Sequence, residues 1–217
     1  IPSIDVVSTN DPTTCGGTDG EIEFNQLESN TIYSVSYSDD GTPVGPVDIT
    51  TINGGVLFLV GLDAGVYTDI TLSLLGCDST PIDVTLSDPT PPTAGLSSSD
   101  ADNTICAGES VTFTGTGGDQ YEFLIGASVV QALSTDATYD TAGLTNGQIV
   151  TVRVVNTTTG CDVTSGGIVT TVNALPTAGL SSSDADNTIC SGESVTFTGS
   201  GGDQYEFLIG ASVVQAL

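Results

Sequence analysis

Apolar and polar residues alternate along much of the chain with a period of two. Ser110–Thr114 reads polar, Val, polar, Phe, polar, and Ile149–Val155 places Val150, Val152 and Val154 on one side with Arg153 on the other. Such spacing puts one set of side chains on each face of a strand. Tyr121–Ile125, Ser128–Leu133 and Ile168–Val172 are further strand-length runs in the same stretch. Earlier come Gly20–Phe24, Ile32–Tyr37, Val56–Leu62, Val66–Leu75 and Ile82–Leu86. Asp63-Ala64-Gly65 reads as a hairpin turn, and Gly115–Asp119 and Gly143–Gly147 as turns between strands. The runs are rich in Val, Ile, Thr, Tyr and Phe, which suit a pleated surface, and no segment of useful length carries a helical period. Short strands with turn signals every ~8–12 residues predict an all-β chain of tandem immunoglobulin-like β-sandwich domains forming an elongated rod.

Residues 92–133 recur almost unchanged at 176–217. The offset is 84 residues and 40 of 42 positions are identical; Ala107 becomes Ser191 and Thr116 becomes Ser200. Packing within one domain does not demand such identity, so the pattern predicts recent duplication and a tandem array. The expected domains are residues 1–90, residues 91–175, and residues 176–217 as the first half of a second, near-identical repeat. Pro89-Thr90-Pro91-Pro92 and Leu175-Pro176-Thr177 read as linkers, where proline stiffens the chain and withholds an N–H from edge pairing. The chain contains no Met and opens at Ile1 in a strand-like run, as expected of a piece of a longer protein.

The five cysteines are distributed according to these boundaries. Cys15 and Cys77 fall in the first domain and Cys106 and Cys161 in the second, which predicts the disulfides 15–77 and 106–161. Cys190 matches Cys106 by the repeat, so its partner is expected beyond the chain end. Closing the 106–161 loop would stabilise by about 4 kcal/mol in the chain-entropy account. Together with the repeats and the Ser/Thr richness, the cysteines point to an oxidising exterior rather than a reduced cytosol.

Composition narrows the function classes. The 217 residues hold 27 acidic side chains, one basic side chain and no His or Trp, for a formal charge of −26. Nucleic-acid binding needs a basic footprint to displace counterions, and one Arg cannot supply it. A polybasic membrane patch is absent for the same reason. Histidine triads, His metal sites and lysine Schiff bases lack their central residue. Hydrophobic residues make up 38% of the chain, which separates it from disordered acidic tails. No apolar run approaches the ~18 residues of a membrane-spanning helix, so no direct membrane insertion is expected.

Two sets of motifs carry a family resemblance. The first domain contains Cys15-Gly16-Gly17-Thr18-Asp19-Gly20-Glu21-Ile22, then Leu62-Asp63-Ala64-Gly65-Val66-Tyr67, then Gly76-Cys77. Over about residues 12–88 it resembles the SprB-type repeat of Bacteroidota surface adhesins. The second domain, through Cys106-Ala107-Gly108-Glu109-Ser110-Val111-Thr112-Phe113 and Asn156-Thr157-Thr158-Thr159-Gly160-Cys161, resembles the Ig-like or PKD-like repeats of the same large proteins. The resemblance implies cell-surface gliding and adhesion proteins exported across the outer membrane by type IX secretion. It carries over no catalytic residue.

Candidate chemistry is sparse. Asp100, Asp102 and Asn103, repeated as Asp184, Asp186 and Asn187 with Glu109 and Glu193 nearby, are candidate ligands for Ca2+, which accepts about six to eight oxygens in irregular geometry. The competing reading is a solvated acidic turn. Asp78-Ser79-Thr80 and Asp140-Thr141-Ala142 resemble the Asp-Ser/Thr-apolar acceptor of Bacteroidota O-glycosylation, making Ser79 and Thr141 candidate sites. Asn156-Thr157-Thr158 is the single Asn-x-Thr sequon. Asp140-Thr141-Ala142-Gly143 departs from the Asp-Thr-Gly of aspartic proteases, and the Gly115–Gly118 run has no Lys to meet a phosphate. No catalytic residue is assigned, and the chain is not read as an enzyme. Tyr33, Tyr37, Tyr67, Tyr121 and Tyr139 are the aromatic platforms a sugar could stack on. Arg153 is expected to pair with a neighbouring carboxylate, worth at most about 1 kcal/mol at a surface.

The resulting functional expectation is a stalk or filament segment of an extracellular tandem-repeat adhesin. Its expected partners are further repeats of the same long chain or neighbouring fibre subunits, at the cell surface or in a secreted filament. The alternatives are a lectin-like module gripping surface polysaccharide, with or without Ca2+, and an accessory domain of a secreted enzyme.

Overall fold

The computed structural model describes residues 2–215, and every regular element in them is a strand. The first eight are β1 (Asp5–Asn10), β2 (Gly20–Asn25), β3 (Ile32–Asp39), β4 (Thr42–Thr50), β5 (Leu57–Leu62), β6 (Gly65–Leu74), β7 (Cys77–Asp78) and β8 (Ile82–Leu86). One sheet has the order β1-β2-β5; the other runs β4-β3-β6-β7, with β8 also paired to β6. The period-two pattern sets which side chains lie between the sheets. Ile22 and Phe24 of β2, Leu57, Leu59 and Leu62 of β5, Tyr33 and Val35 of β3, and Tyr67, Ile70 and Leu72 of β6 are buried in one cluster. Each such side chain contributes roughly 1.5–3 kcal/mol through apolar area removed from water.

Asp63-Ala64-Gly65 does not make the expected hairpin. β5 pairs with β2 and β6 with β3, so this turn carries the chain from one sheet to the other. Tyr67 explains the corner. Its ring is fully buried, and its hydroxyl lies 2.9 Å from the Asp63 carbonyl oxygen and 2.8 Å from the Asp63 carboxylate. A tyrosine tied back to the backbone a few residues upstream is the corner device of immunoglobulin-like sandwiches. Burial and the Asp63 contact hold the phenol well above its ordinary pKa. β4, absent from the sequence-predicted strands, contains Pro43 and Pro46 and is largely exposed. Among the described strands it pairs with β3 alone, and prolines are tolerated at such an edge because the outer N–H groups need no strand partner.

The next ten strands are β9 (Gly95–Ser98), β10 (Thr104–Cys106), β11 (Val111–Thr116), β12 (Gln120–Ile125), β13 (Ser128–Ser134), β14 (Thr138–Thr141), β15 (Ile149–Val155), β16 (Asp162–Thr164), β17 (Ile168–Val169) and β18 (Thr171–Asn173). A sheet of order β14-β11-β9 accompanies one of order β13-β12-β15-β16, with β17 also on β15. Gly115 shows how closely the layers meet. A Cβ placed there would lie 2.8 Å from Tyr121 Cδ1 and 3.2 Å from Val152 Cγ2. The expected strand Ile168–Val172 is broken in two at Thr170, whose N–H donates to the Gln148 carbonyl and whose carbonyl accepts from Gly147.

The chain divides into two compact units. One comprises Ile1–Ser99, Thr112–Tyr139 and Ile149–Ile168, the other Asp100–Val111, Asp140–Gln148 and Val169–Leu217. In the second unit β10 runs parallel to β18, with Cys106 opposite Asn173. The same unit holds β19 (Gly179–Ser182), β20 (Phe197–Ser200), β21 (Phe207–Ile209) and β22 (Ser212–Gln215). The β19–β20 pairing puts Gly179 opposite Ser200, as β9–β11 puts Gly95 opposite Thr116. The β21–β22 pairing puts Leu208 opposite Val213, as β12–β13 puts Leu124 opposite Val129. The duplicated sequence therefore makes the same two strand pairs twice.

Candidate functional site

The feature that sets this chain apart from a plain string of sandwiches is a covalent tie. Cys15, in the loop between β1 and β2, is disulfide-bonded to Cys161, in the turn between β15 and β16, with 5.0 Å between their Cα atoms and 146 residues between them in sequence. Closing so long a loop stabilises by about 5 kcal/mol in the chain-entropy account, before any strain is subtracted. Cys161 is fully buried.

Each half of the tie is shaped locally. In the β1–β2 loop, the Asp19 carboxylate accepts hydrogen bonds from the Thr13 N–H (3.0 Å) and hydroxyl (2.5 Å). These bonds hold its pKa below the ordinary carboxylate value, the hydroxyl contributing most. In the β15–β16 turn, Asn156 Oδ1 accepts from the Thr158 and Thr159 N–H groups, and the Thr157 N–H and hydroxyl donate to Asp119. The two halves then meet through the backbone. The Cys15 N–H donates to the Thr159 carbonyl at 2.8 Å. The Pro89 carbonyl oxygen sits 3.6 Å from Cys15 Sγ and 3.4 Å from Cys161 Sγ, and the Gly16 N–H donates to Asp88. The proline linker is thus enclosed by the disulfide.

This pairing corrects the expected 15–77 and 106–161 bridges. Cys77, Cys106 and Cys190 are exposed free thiols. The reason lies in the strands. Cys15 lies by the end of β8, where Asp11 accepts the Ser87 N–H and Gly65 of β6 faces Leu86. Cys77 faces Leu74 at the other end of β6. Nine residue steps of strand separate these ends, about 30 Å, and a disulfide needs Cα atoms within ~7 Å. Cys161 is in turn occupied by Cys15. The true pairing joins loops of two successive sandwiches that meet at the Pro89 carbonyl, a contact that assignment of cysteines by domain does not consider.

The other candidates fall as follows. Thr104 N–H donates to both Asp100 (2.9 Å) and Asp102 (3.0 Å), and Thr188 N–H to Asp184 (3.1 Å) and Asp186 (3.0 Å). These carboxylates close their own loops around Asn103 and Asn187, which both have left-handed backbone at φ 57° and 56°. Among the described residues no group of three or more acidic or cysteine side chains is arranged to hold a metal. Ser79 drops out as a glycan acceptor in the folded chain, because it is buried and its hydroxyl accepts the Leu72 N–H. Thr141, half-buried on β14, accepts the Gly143 N–H. Tyr33, Tyr67 and Tyr121 are buried and present no stacking face, while Tyr37 packs on Tyr67 and Tyr139 on Phe123. Arg153 does pair as expected, with Asp162 at 2.6 Å and Glu122 at 3.7 Å.

With a three-stranded sheet facing a five-stranded one in each pair and a tyrosine corner in the first, the architecture is decided. The chain has the immunoglobulin-like sandwich fold. No family model matches it, and no curated protein does. Solved structures do. It is similar to the fibronectin(III)-like modules of Clostridium thermocellum CbhA at 17% identity, over 79% of this chain and 93% of that one, with a TM-score of 0.36. Tandem Ig repeats of Dlar match at 13% identity over 81% and 100%, with a TM-score of 0.30. A tetra-tandem repeat from the extending region of a large adhesion protein matches at 17% identity over 92% and 62%, with a TM-score of 0.31. Among the described residues no helix is long and apolar enough to cross a membrane.

Proposed function

We propose that this chain is a structural segment of an extracellular tandem-repeat protein, serving as part of the stalk or filament of a surface adhesin. The observation that carries the reading is the Cys15–Cys161 disulfide, which encloses the Pro89 linker between two loops. Such a tie suits a load-bearing strut, because it stops the linker from acting as a free hinge. A disulfide of this kind also belongs to an oxidising compartment, in keeping with a cell-surface or secreted location. The charge of −26 keeps neighbouring fibres soluble and apart over about 8 Å in physiological salt. The partners of such a strut are further repeats of its own chain or adjacent fibre subunits. Gliding motility and type IX secretion are what the SprB-type resemblance implies for such a segment.

Small-angle scattering before and after reduction tests the strut. Reduction is expected to broaden the distribution of interatomic distances while the far-ultraviolet circular dichroism of the strands stays unchanged. An identical scattering profile in both states would remove the mechanical role. Saturable binding of a defined polysaccharide on a glycan array would instead move the chain to the lectin-like class.

A further inference from the structure

Cys106 stands in its repeat where Cys15 stands in the first sandwich. Cys15 lies between β1 and β2, and Cys106 ends the short β10, which lies between β9 and β11. Each is followed within two residues by a glycine with left-handed backbone, Gly16 at φ 66° and Gly108 at φ 83°. In each an acidic side chain locks the loop: Asp19 accepts the Thr13 N–H, and Glu109 accepts the Cys106 N–H at 2.9 Å. The exit segment lies alongside in the same way. Pro89 touches Cys15 Sγ through its carbonyl oxygen. Asn173, 84 residues later, accepts the Ala107 N–H at 2.8 Å through its own carbonyl. Cys106 differs in having no disulfide partner.

The place of the missing partner follows from the duplicated half-repeat. Between the β19–β20 and β21–β22 pairs lies a groove of about 480 Å³, lined by Leu180, Gly199, Tyr205 and Phe207. In the complete repeat the matching residues Leu96, Gly115, Tyr121 and Phe123 face β15. There Val152 lies opposite Phe123 and Val154 opposite Tyr121, and Arg153 pairs with Glu122. β21 pairs with β22 alone among the described strands, and Glu206 repeats Glu122. Both apolar and charged recognition are therefore set for one kind of occupant: a strand of the sequence of Ile149–Val155, added edge to edge. Six residues after Val155 in that sequence comes Cys161.

We propose that Cys106 is the open half of a second disulfide joint. A segment with the sequence of residues 134–175 docks its β15 strand on residues 176–215 and presents its own Cys161 to Cys106, repeating the Cys15–Cys161 tie. The bond forms by thiol–disulfide exchange with a small disulfide oxidant such as oxidised glutathione. The two protein thiols give up two protons and two electrons, the S–S bond of glutathione breaks, and two glutathione thiols leave. A chain that is no stalk would still form this bond, so its failure and that of the mechanical reading are separable.

The test adds a synthetic 134–175 segment to the full chain in a glutathione redox buffer and maps the cross-links by mass spectrometry without reduction. Cys77 and Cys190 are exposed too and serve as internal controls. The segment is expected on Cys106 at least tenfold more often than on either control. Glu206→Lys in the chain, or Val152→Asp in the segment, is expected to lower the yield several-fold. Even distribution over the three thiols, or equal yield from a scrambled segment that keeps its cysteine, would overturn the proposal. So would protection of Cys106 by dimerisation of the chain alone before any segment is added.

Discussion

Residues 92–133 and 176–215 share two strand pairs in the same register, although among the described strands β10 has no counterpart in the second copy, and they differ in what they bury. Phe113 is 0% exposed and Phe197 51%; Ile105 is 3% and Ile189 47%; Tyr121 is 9% and Tyr205 37%. Local sequence therefore determines strand pairing, while burial comes from elsewhere in the repeat. For the first copy that second contribution is visible in β15, whose Val150, Val152 and Val154 are all fully buried. The lesson is that a half-sandwich carries its hairpins without its core. Apolar side chains that look like core by pattern become core only when a second sheet covers them.

The largest effect expected from this contrast is on two equivalent phenylalanines. Phe113→Ala should cost about 3–5 kcal/mol in denaturant unfolding, as a fully buried ring replaced by a cavity does. Phe197→Ala, the same change in the same local sequence, should cost under ~0.5 kcal/mol. Equal costs would mean that residues 176–215 bury a core of their own. The cysteines sharpen the contrast next. Cys15→Ser should lose about 2–5 kcal/mol of stability, whereas Cys190→Ser should leave the midpoint within about 0.5 kcal/mol. A Cys15→Ser chain as stable as the parent would show that the long loop is closed by packing alone.

Much of the fold was legible because its signals are local. β2, β8, β12 and β15 are alternating or apolar runs bounded by turns, and they appear within a residue or so of where the pattern places them. β4 was not legible, since its two prolines are breaker signals that only an edge position tolerates. The Asp63–Gly65 turn was misread for a related reason. A short turn between apolar runs looks the same whether its strands pair or part, and the Tyr67 tie that separates the cases is a contact across the corner. The disulfide was the largest miss. Assigning cysteines by domain assumes that each sandwich closes on itself, and here the bond joins loops of two sandwiches that meet at the Pro89 linker. Ser79 failed as a glycan site because its hydroxyl is spent on the β6 backbone, which a three-residue motif cannot reveal.

Smaller effects test the charges. Glu122→Gln should cost at most about 1 kcal/mol through the partly exposed Arg153 pair, while Glu206→Gln should change stability by nothing measurable. The loop that carries Cys15 has an acid signature. The pKa of Asp19 is lowered in the folded chain by the Thr13 hydrogen bonds, so its contribution is full above the ordinary carboxylate pKa and is lost as pH falls through the folded value. Asp19→Asn should flatten the stability profile below about pH 4 and leave it unchanged in shape near neutrality. An unaltered acid limb would mean that the Thr13 bonds do not persist in solution.

The most direct test of the strut is the disulfide map of the oxidised chain. Arg153 is the single basic residue, so cleavage at acidic residues rather than at Arg is required before mass analysis without reduction. The account predicts one linked pair, Cys15 with Cys161, and free thiols at Cys77, Cys106 and Cys190. Recovery of Cys15 linked to Cys77 and Cys106 linked to Cys161 would contradict it, because each sandwich would then be closed on itself and the Pro89 linker left free.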